Sequence, residues 1–164
     1  MDAPGARNIE GRVQGGREYL KKFPKIVDVG KYDSTLSIEK GQEVANNFIT
    51  ANPDLKAILN AGSVPTVAAG MAVKERNLTG KVVVVGMDLL PQTLRLLKDG
   101  IISVTVGQNP YLQGYLPVQA VCEKLLNKKP IQERMPTNLE VVDLANVDSI
   151  MKREVEFLEK GKKK

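Results

Sequence analysis

Four polar residues lie where predicted strands end or a predicted helix begins, and their side chains suit ligand binding. Asp88, Gln108 and the pair Gly62-Ser63 each follow a short apolar run, and Arg12 opens the first predicted helix. A guanidinium offers five fixed donors, a carboxylate accepts at two oxygens, and a primary amide does both. This mixture suits adjacent hydroxyl groups on a small ring, each of which needs a donor and an acceptor. It suits phosphate poorly, because Asp88 would repel it.

The same residues also have a purely structural interpretation. Asp88 would then cap the helix that follows it, and Arg12 would pair with a surface carboxylate. Spacing alone does not separate this interpretation from ligand binding, so both remain open from the sequence.

Short β-branched runs alternate with longer amphipathic stretches along most of the chain. The runs predict strands at residues 25–29, 56–60, 81–85, 102–106 and 139–142. Alternation at this spacing is typical of βαβ units, so the predicted fold class is α/β with a doubly wound parallel sheet. Ligands bind beyond the carboxyl ends of the strands in such a sheet, which is where Asp88, Gln108 and Ser63 lie.

Helices are predicted between the strands, with Ser37 and Asn146 as the N-caps of two of them. The first clear element is a helix at about residues 12–23, whereas a doubly wound unit begins with a strand. The sequence therefore predicts a sheet that starts one strand late. Cys122 lies in a helix predicted at residues 111–126 and is expected to be a buried small apolar residue.

Composition argues against several classes of function. The 164 residues include no histidine and one cysteine, which leaves no ligand set for zinc and no Ser-His or Cys-His nucleophile pair. Much of the net charge of +5 comes from residues 151–164, where six basic residues face three glutamates. A nucleic-acid binder carries a basic face through its body. We therefore expect no nucleic-acid partner, and we predict no metal and no cofactor.

An ordered series of short motifs resembles a known family. The motifs are RVQG at residues 12–15, NPDLKAI at 52–58, VVVGMD at 83–88 and QNP at 108–110, together with Pro91, Gly100 and Gly114. In this order they resemble the back half of periplasmic sugar-binding proteins of the ribose- and glucose-binding type, the soluble receptors of sugar ABC transporters. The similarity covers residues 6–142. It implies the type I periplasmic binding protein fold, with two α/β lobes joined by a hinge.

The resemblance implies a set of ligand-binding residues. Three residues match positions that bind sugar hydroxyls in the family: Arg12, Asp88 and Gln108. Asn8 is expected to reach the same pocket. Gly62 and Ser63 stand where the family often has Asn and Asp, so the chain departs from the pattern there, and the choice between a pentose and a hexose stays open. Leu36 falls near a position that is aromatic in some relatives.

The resemblance also implies that this chain lacks the front lobe. Residues 1–108 would form the second lobe without its first strand, residues 109–138 a hinge-crossing helix that packs on the absent lobe, and residues 139–164 the last strand, a C-terminal helix and a basic tail. The crossing helix would expose an apolar face formed by Leu116, Val121 and Leu125, and such a face seeks a partner. We therefore expect a C-terminal fragment that holds the missing N-terminal lobe or a second copy of itself.

The implied function is binding of a simple sugar in the cleft between two lobes and its delivery to the membrane subunits of an ABC transporter, with no catalysis. The implied location of the intact protein is periplasmic, or extracellular and membrane-anchored, with the signal sequence outside this chain. Two alternatives share the fold and the pocket: the ligand-sensing core of a LacI-type transcriptional repressor and a sugar-sensing histidine kinase. A small nucleotide-dependent enzyme is disfavoured, because the sequence has neither a phosphate-binding loop nor a histidine.

Overall fold

The computed structural model describes residues 5–34 and 37–162. Within them, six helices and four strands follow one another in the order α1 (Arg7–Leu20), α2 (Ile38–Ala51), β1 (Ala57–Leu59), α3 (Ser63–Glu75), β2 (Val83–Met87), α4 (Pro91–Lys98), β3 (Val104–Gly107), α5 (Pro110–Asn127), β4 (Glu140–Val142) and α6 (Val147–Lys162). Each observed strand lies within about two residues of a predicted one.

The strands form one sheet in the order β1-β2-β3-β4. β1, β2 and β3 are parallel neighbours, which confirms the predicted α/β class with a parallel sheet. β4 runs antiparallel to β3, with Glu140 opposite Gly107. The βαβ pattern does not predict this direction, because a long segment without a strand separates β3 from β4.

Local sequence signals explain where several helices begin and end. Ser37 caps α2 as predicted, since its Oγ accepts a hydrogen bond from the backbone N–H of Lys40 at 3.3 Å. Pro91 begins α4 without loss of a hydrogen bond, and Gly100, with φ of 72°, follows its end. Asn146 precedes α6 as predicted, but its Oδ1 accepts from the backbone N–H of Asp143 at 3.0 Å and so bonds the preceding turn.

The hydrophobic core lies on one face of the sheet. Ile58, Val84 and Val142 are buried there, and α2, α3, α4 and α6 all add side chains to the same cluster. The alternate residues Leu59 and Val83 are 58% and 47% exposed on the opposite face. This second face is therefore only partly covered by the residues that the structure describes.

Residues 25–29, predicted as the first strand, form no strand. Ile26, Val27 and Val29 are at least half exposed, with Val27 at 76%. A strand needs a neighbour to pair with its N–H and C=O groups, and in the described chain the edge strand β1 pairs only with β2. The prediction is wrong because the run has the composition of a strand but no partner strand beside it.

The first helix begins earlier than predicted. α1 starts at Arg7, so Arg12 lies in its second turn and not at its beginning. Ile9, one turn before Arg12, is buried against Ala61 in the loop after β1. A Cβ added to Gly16 of the same helix would lie 2.8 Å from Cδ2 of Leu59. α1 is thus held close to β1 and to the loop that follows it.

α5 contributes no buried residue among those described. Two of the three residues of the predicted apolar face are exposed, Val121 by about half and Leu125 by 75%, whereas Leu116 is partly buried. Cys122 is also exposed, which makes the prediction of a buried thiol wrong. The physical reason is the same for the three exposed residues: the helix has an apolar face, but no described element of this chain covers it.

Candidate functional site

Asp88 stands directly after β2, in a backbone conformation that few residues adopt. Its φ is 68°, in the left-handed region that aspartate, asparagine and glycine tolerate best. Its backbone N–H donates to the carbonyl oxygen of Val106 at 2.9 Å, and its own carbonyl oxygen accepts from Oγ1 of Thr105 at 2.9 Å. Two contacts with β3 therefore hold the backbone of Asp88 in place.

The side chain of Asp88 is oriented by Gln108, the residue that follows β3. Nε2 of Gln108 donates to Oδ1 of Asp88 at 2.6 Å, and both side chains are partly buried. Within the described chain, no side-chain or backbone donor bonds the second carboxylate oxygen of Asp88, Oδ2. The pair therefore presents a carboxylate oxygen and an amide oxygen at the carboxyl end of the sheet.

These two side chains line an opening of about 350 Å³ at that edge of the sheet. Its lining consists of Ser63, Asp88, Leu89, Leu90, Gln108, Pro110, Gln113 and Glu154. Two carboxylates, two primary amides and one hydroxyl thus surround a space that is otherwise apolar. The arrangement can accept hydrogen bonds from several hydroxyl groups of one small molecule.

Arg12 lies next to this opening but does not line it. Its Nη1 donates to the carbonyl oxygen of Ala61 at 2.8 Å, in the loop that leads to Gly62. Gly62 is the N-cap of α3, and its carbonyl oxygen accepts from Oγ1 of Thr66 at 2.7 Å. Asn8 is exposed in the first turn of α1 and is not part of the lining.

The structure therefore brings together three of the predicted site residues, Ser63, Asp88 and Gln108. Gly62 lies in the adjoining loop before α3, and Arg12 bonds that loop from α1. Leu36 lies outside the described residues.

The structural interpretation of the same residues does not fit this geometry. The N-cap of α4 is Leu90, and no side chain caps that helix, so Asp88 is not its cap. Arg12 bonds a backbone carbonyl instead of a surface carboxylate. Neither residue has the role that a purely structural interpretation assigns to it.

Three supporting residues are not predicted from the sequence. Thr105 is fully buried and holds the backbone of Asp88. Thr66 is equally buried, and its hydroxyl accepts from the backbone N–H of Met87 at 3.0 Å. A threonine at a core-facing position of an apolar strand or helix is the signal that could have revealed both. Glu154 gives no such signal, because it reaches the opening from a distant helix.

Two further properties of the described residues bear on function. Nowhere in residues 5–34 and 37–162 do three or more possible metal ligands cluster. Within the same ranges, each helix is too short or too polar to cross a membrane.

Comparison with known proteins relates this geometry to a family. A model of the periplasmic binding protein domain matches residues 1–129. The chain belongs to the periplasmic binding protein family. This membership confirms the resemblance and the fold class that the ordered motifs indicate.

The relatives in this family are named as sugar-binding proteins. The D-allose-binding periplasmic protein of Escherichia coli is 35% identical over 106 residues, which are 65% of this chain and 34% of that protein. The xylose/arabinose-binding protein of Sulfolobus acidocaldarius is 30% identical over 123 residues, 72% of this chain and 30% of that protein. These relatives are binding proteins and not enzymes, as the sequence predicts.

Solved structures of the periplasmic binding protein family superpose well on the chain. A periplasmic solute-binding protein of an ABC transporter from Actinobacillus succinogenes, with bound D-allose, has a TM-score of 0.82 and 28% identity over 90% of this chain and 51% of that one. A carbohydrate solute-binding protein from Agrobacterium radiobacter, in complex with D-arabinose, has a TM-score of 0.81 and 28% identity over 89% of this chain and 50% of that one. The chain spans about half the length of these structures, and a third of the two curated relatives.

Proposed function

We propose that this chain supplies one wall of a sugar-binding cleft in a periplasmic receptor, and that the intact receptor delivers a pentose or hexose to an ABC transporter. The observation that supports the proposal most strongly is the hydrogen-bonded pair of Asp88 and Gln108 at the carboxyl end of β2 and β3. Sugar binding by relatives with the same fold supports it further.

The chemistry of the opening suits a neutral sugar. Oδ2 of Asp88 accepts a hydrogen bond from one ring hydroxyl, and the amide oxygen of Gln108 accepts from a neighbouring one. The Ser63 hydroxyl both donates and accepts. Arg12 bonds the loop that leads to Ser63, through the carbonyl oxygen of Ala61, and we propose that its guanidinium turns from this carbonyl to donate to a sugar oxygen. Each bond to a charged group contributes about 1.5–3 kcal/mol.

One lobe alone gives an incomplete site. The opening has apolar walls but no aromatic ring among its lining residues, so none of these residues can stack on a sugar ring. In a two-lobed receptor, a sugar that contacts both lobes favours the closed state. We infer that the exposed apolar face of α5 packs on the front lobe or on a second copy of the chain, and that the chain alone binds sugar weakly.

The proposed location of the intact receptor is the periplasm, or the outer surface of the cell through a membrane anchor. The proposed partners are the membrane subunits of an ABC transporter, which would recognise the closed form. Names of relatives favour this role over a repressor or a sensor kinase, since those relatives are named for the sugars that they bind.

The test is a titration of the purified chain with D-allose, D-ribose, D-xylose and D-arabinose at millimolar concentrations, followed by ¹H–¹⁵N NMR. We expect at least one sugar to shift the amide signals around Asp88 and Gln108. Asp88→Asn should weaken binding by about tenfold or more, because a neutral amide replaces a charged acceptor. Asparagine is preferred to alanine here, because it tolerates the left-handed backbone at this position.

Asp54→Asn is the matched control, since Asp54 is exposed in the turn before β1. It should leave binding unchanged. Absence of any shift with all four sugars would refute the proposal for this chain. Equal binding by Asp88→Asn and the unaltered chain would refute the assignment of the pocket.

A further inference from the structure

The C-terminal helix reaches the same opening. Glu154, in the second turn of α6, lines it together with Asp88 and Gln108. α6 begins only after β4, so this carboxylate comes from a part of the chain that the strand-end motifs do not include. Its side chain is 35% exposed, which leaves it accessible to a ligand in the opening.

Two groups of contacts fix the position of α6. Arg153 forms a two-pronged bond with Glu140 of β4, with Nη1 to Oε1 at 2.9 Å and Nη2 to Oε2 at 2.7 Å. Glu140 stands opposite Gly107 in the sheet, one residue before Gln108. About one turn further along α6, the ring of Phe157 lies 6.3 Å from that of Tyr111 in α5, with only 12° between the ring planes.

The same arginine also orients Glu154. Nη2 and Nε of Arg153 donate to Oε1 of Glu154 at 2.9 and 3.3 Å. Within the described chain, no donor bonds the other oxygen, Oε2. A planar guanidinium that is itself anchored on Glu140 loses little freedom when it binds a second carboxylate. Glu154 is therefore held at the opening with one acceptor oxygen free.

We propose that Glu154 contacts the ligand and determines specificity at this site, and this inference rests on the proposed sugar-binding function. With Asp88 it gives the opening two carboxylates. Such a pair favours ligand groups that donate hydrogen bonds, which are hydroxyls or an ammonium substituent. It disfavours a phosphate or carboxylate on the sugar, since like charges repel at short range.

The experiment compares the unaltered chain with Glu154→Gln, which keeps the shape and the contact with Arg153 but removes the charge. The ligands are the best-binding neutral sugar among the four titrated, its amino-substituted analogue and its phosphate ester. We expect Glu154→Gln to weaken binding of the neutral sugar by roughly three- to tenfold and that of the amino sugar by more, while binding of the phosphate ester is unchanged or improved.

Glu156→Gln is the matched control, because Glu156 is an exposed glutamate of the same helix and does not line the opening. It should change none of the three affinities. If the unaltered chain binds no sugar, the proposed function and this inference both fail. If binding is lost in Asp88→Asn but all three affinities are unchanged in Glu154→Gln, only this inference is overturned. Far-UV circular dichroism establishes that the helix content of each variant matches that of the unaltered chain.

Discussion

Three fully buried threonines offer a test of how the site is held in place. The side chains of all three are fully buried. Within the described chain, the hydroxyl group of Thr66 makes two hydrogen bonds and that of Thr105 makes one. The hydroxyl group of Thr93 makes none. Replacement by valine removes the hydroxyl group with little change of shape. The free energy of unfolding of the three variants should therefore follow the number of bonds lost.

Thr66→Val removes more hydrogen bonds than the other two substitutions. The hydroxyl group donates to the carbonyl oxygen of Gly62 at 2.7 Å and accepts from the backbone N–H of Met87 at 3.0 Å, so it joins the start of α3 to the end of β2. Valine leaves the part-buried N–H of Met87 without its partner and also removes the bond to the carbonyl oxygen of Gly62. Each such loss costs about 1–3 kcal/mol, and we expect a decrease of about 2–3 kcal/mol in the free energy of unfolding.

Thr105→Val removes a single hydrogen bond, in which the threonine is the donor. Its hydroxyl group donates to the carbonyl oxygen of Asp88 at 2.9 Å, and that oxygen is only partly buried, so water replaces some of the lost bond. We expect a decrease of about 1 kcal/mol. Because the lost bond holds the backbone of Asp88, this variant should also weaken sugar binding.

Thr93→Val is the matched control within the same series. Oγ1 of Thr93 is buried in α4 without a hydrogen-bond partner in the described chain. An unpaired buried hydroxyl group destabilises the folded state, so valine should leave the free energy of unfolding unchanged or raise it by up to about 1 kcal/mol.

Urea unfolding followed by far-UV circular dichroism measures the three changes, provided that the m-value stays constant. The expected order of destabilisation is Thr66→Val, then Thr105→Val, then Thr93→Val. If Thr93→Val destabilises the chain as much as Thr66→Val, the shape of the threonine side chains and not their hydrogen bonds holds the loops after β1 and β2, and the reasoning from bond counts is refuted.

Three further predictions concern the core, an exposed helix and the alkaline limit of stability. Gly86→Ala places a Cβ 2.1 Å from Cγ2 of Thr66, so thermal unfolding should show that the free energy of unfolding decreases by at least about 2 kcal/mol. Gly114 lies in an exposed helix with open space around it. Gly114→Ala should therefore stabilise the chain by about 0.5–1 kcal/mol. Burial raises the pKa of Tyr32 to about 12, from an ordinary value of 10.0. As the pH rises, Tyr32 therefore loses its phenolic proton at a lower pH in the unfolded chain than in the folded one. The contribution of Tyr32 to the free energy of unfolding is thus complete below pH 10 and decreases as the pH rises toward about 12. The difference in urea midpoint between the unaltered chain and Tyr32→Phe should change across that range; a constant difference would contradict the assignment.

The sequence predicts most of the sheet because its signals are local. The uniformly apolar run that becomes β2 and the Ser37 cap of α2 depend only on residues close in the chain, and both are observed. The prediction of a strand at residues 25–29 is wrong for the opposite reason, because a strand also requires a neighbouring strand, which no local pattern can guarantee. The prediction that Cys122 is buried is wrong for the same reason, because burial of a residue on an apolar helix face depends on what packs against that face.

The site is predictable to the extent that topology alone determines it. Asp88, Gln108 and Ser63 meet because the carboxyl ends of parallel strands share one edge of the sheet. Arg12 is not part of the lining, and its side chain instead bonds the carbonyl oxygen of Ala61, a contact that the strand spacing does not indicate. Glu154 reaches the opening through a contact between β4 and α6, and neither its own neighbours in sequence nor the strand spacing indicate that contact.

Position 88 makes two separate demands on its residue, and aspartate meets both. The backbone, with φ of 68°, favours glycine, asparagine or aspartate. The bond from Nε2 of Gln108 requires an acceptor, which excludes glycine. A third demand, a charged oxygen facing the opening, would separate aspartate from asparagine, but it exists only if a hydrogen-bond donor occupies that opening. Asp88→Asn should therefore preserve stability and lose affinity, whereas Asp88→Gly should lose affinity and the Gln108 contact together. If Asp88→Asn kept the affinity of the unaltered chain, no ligand would require the charge of Asp88, and the two demands of the fold alone would account for an acceptor side chain at this position.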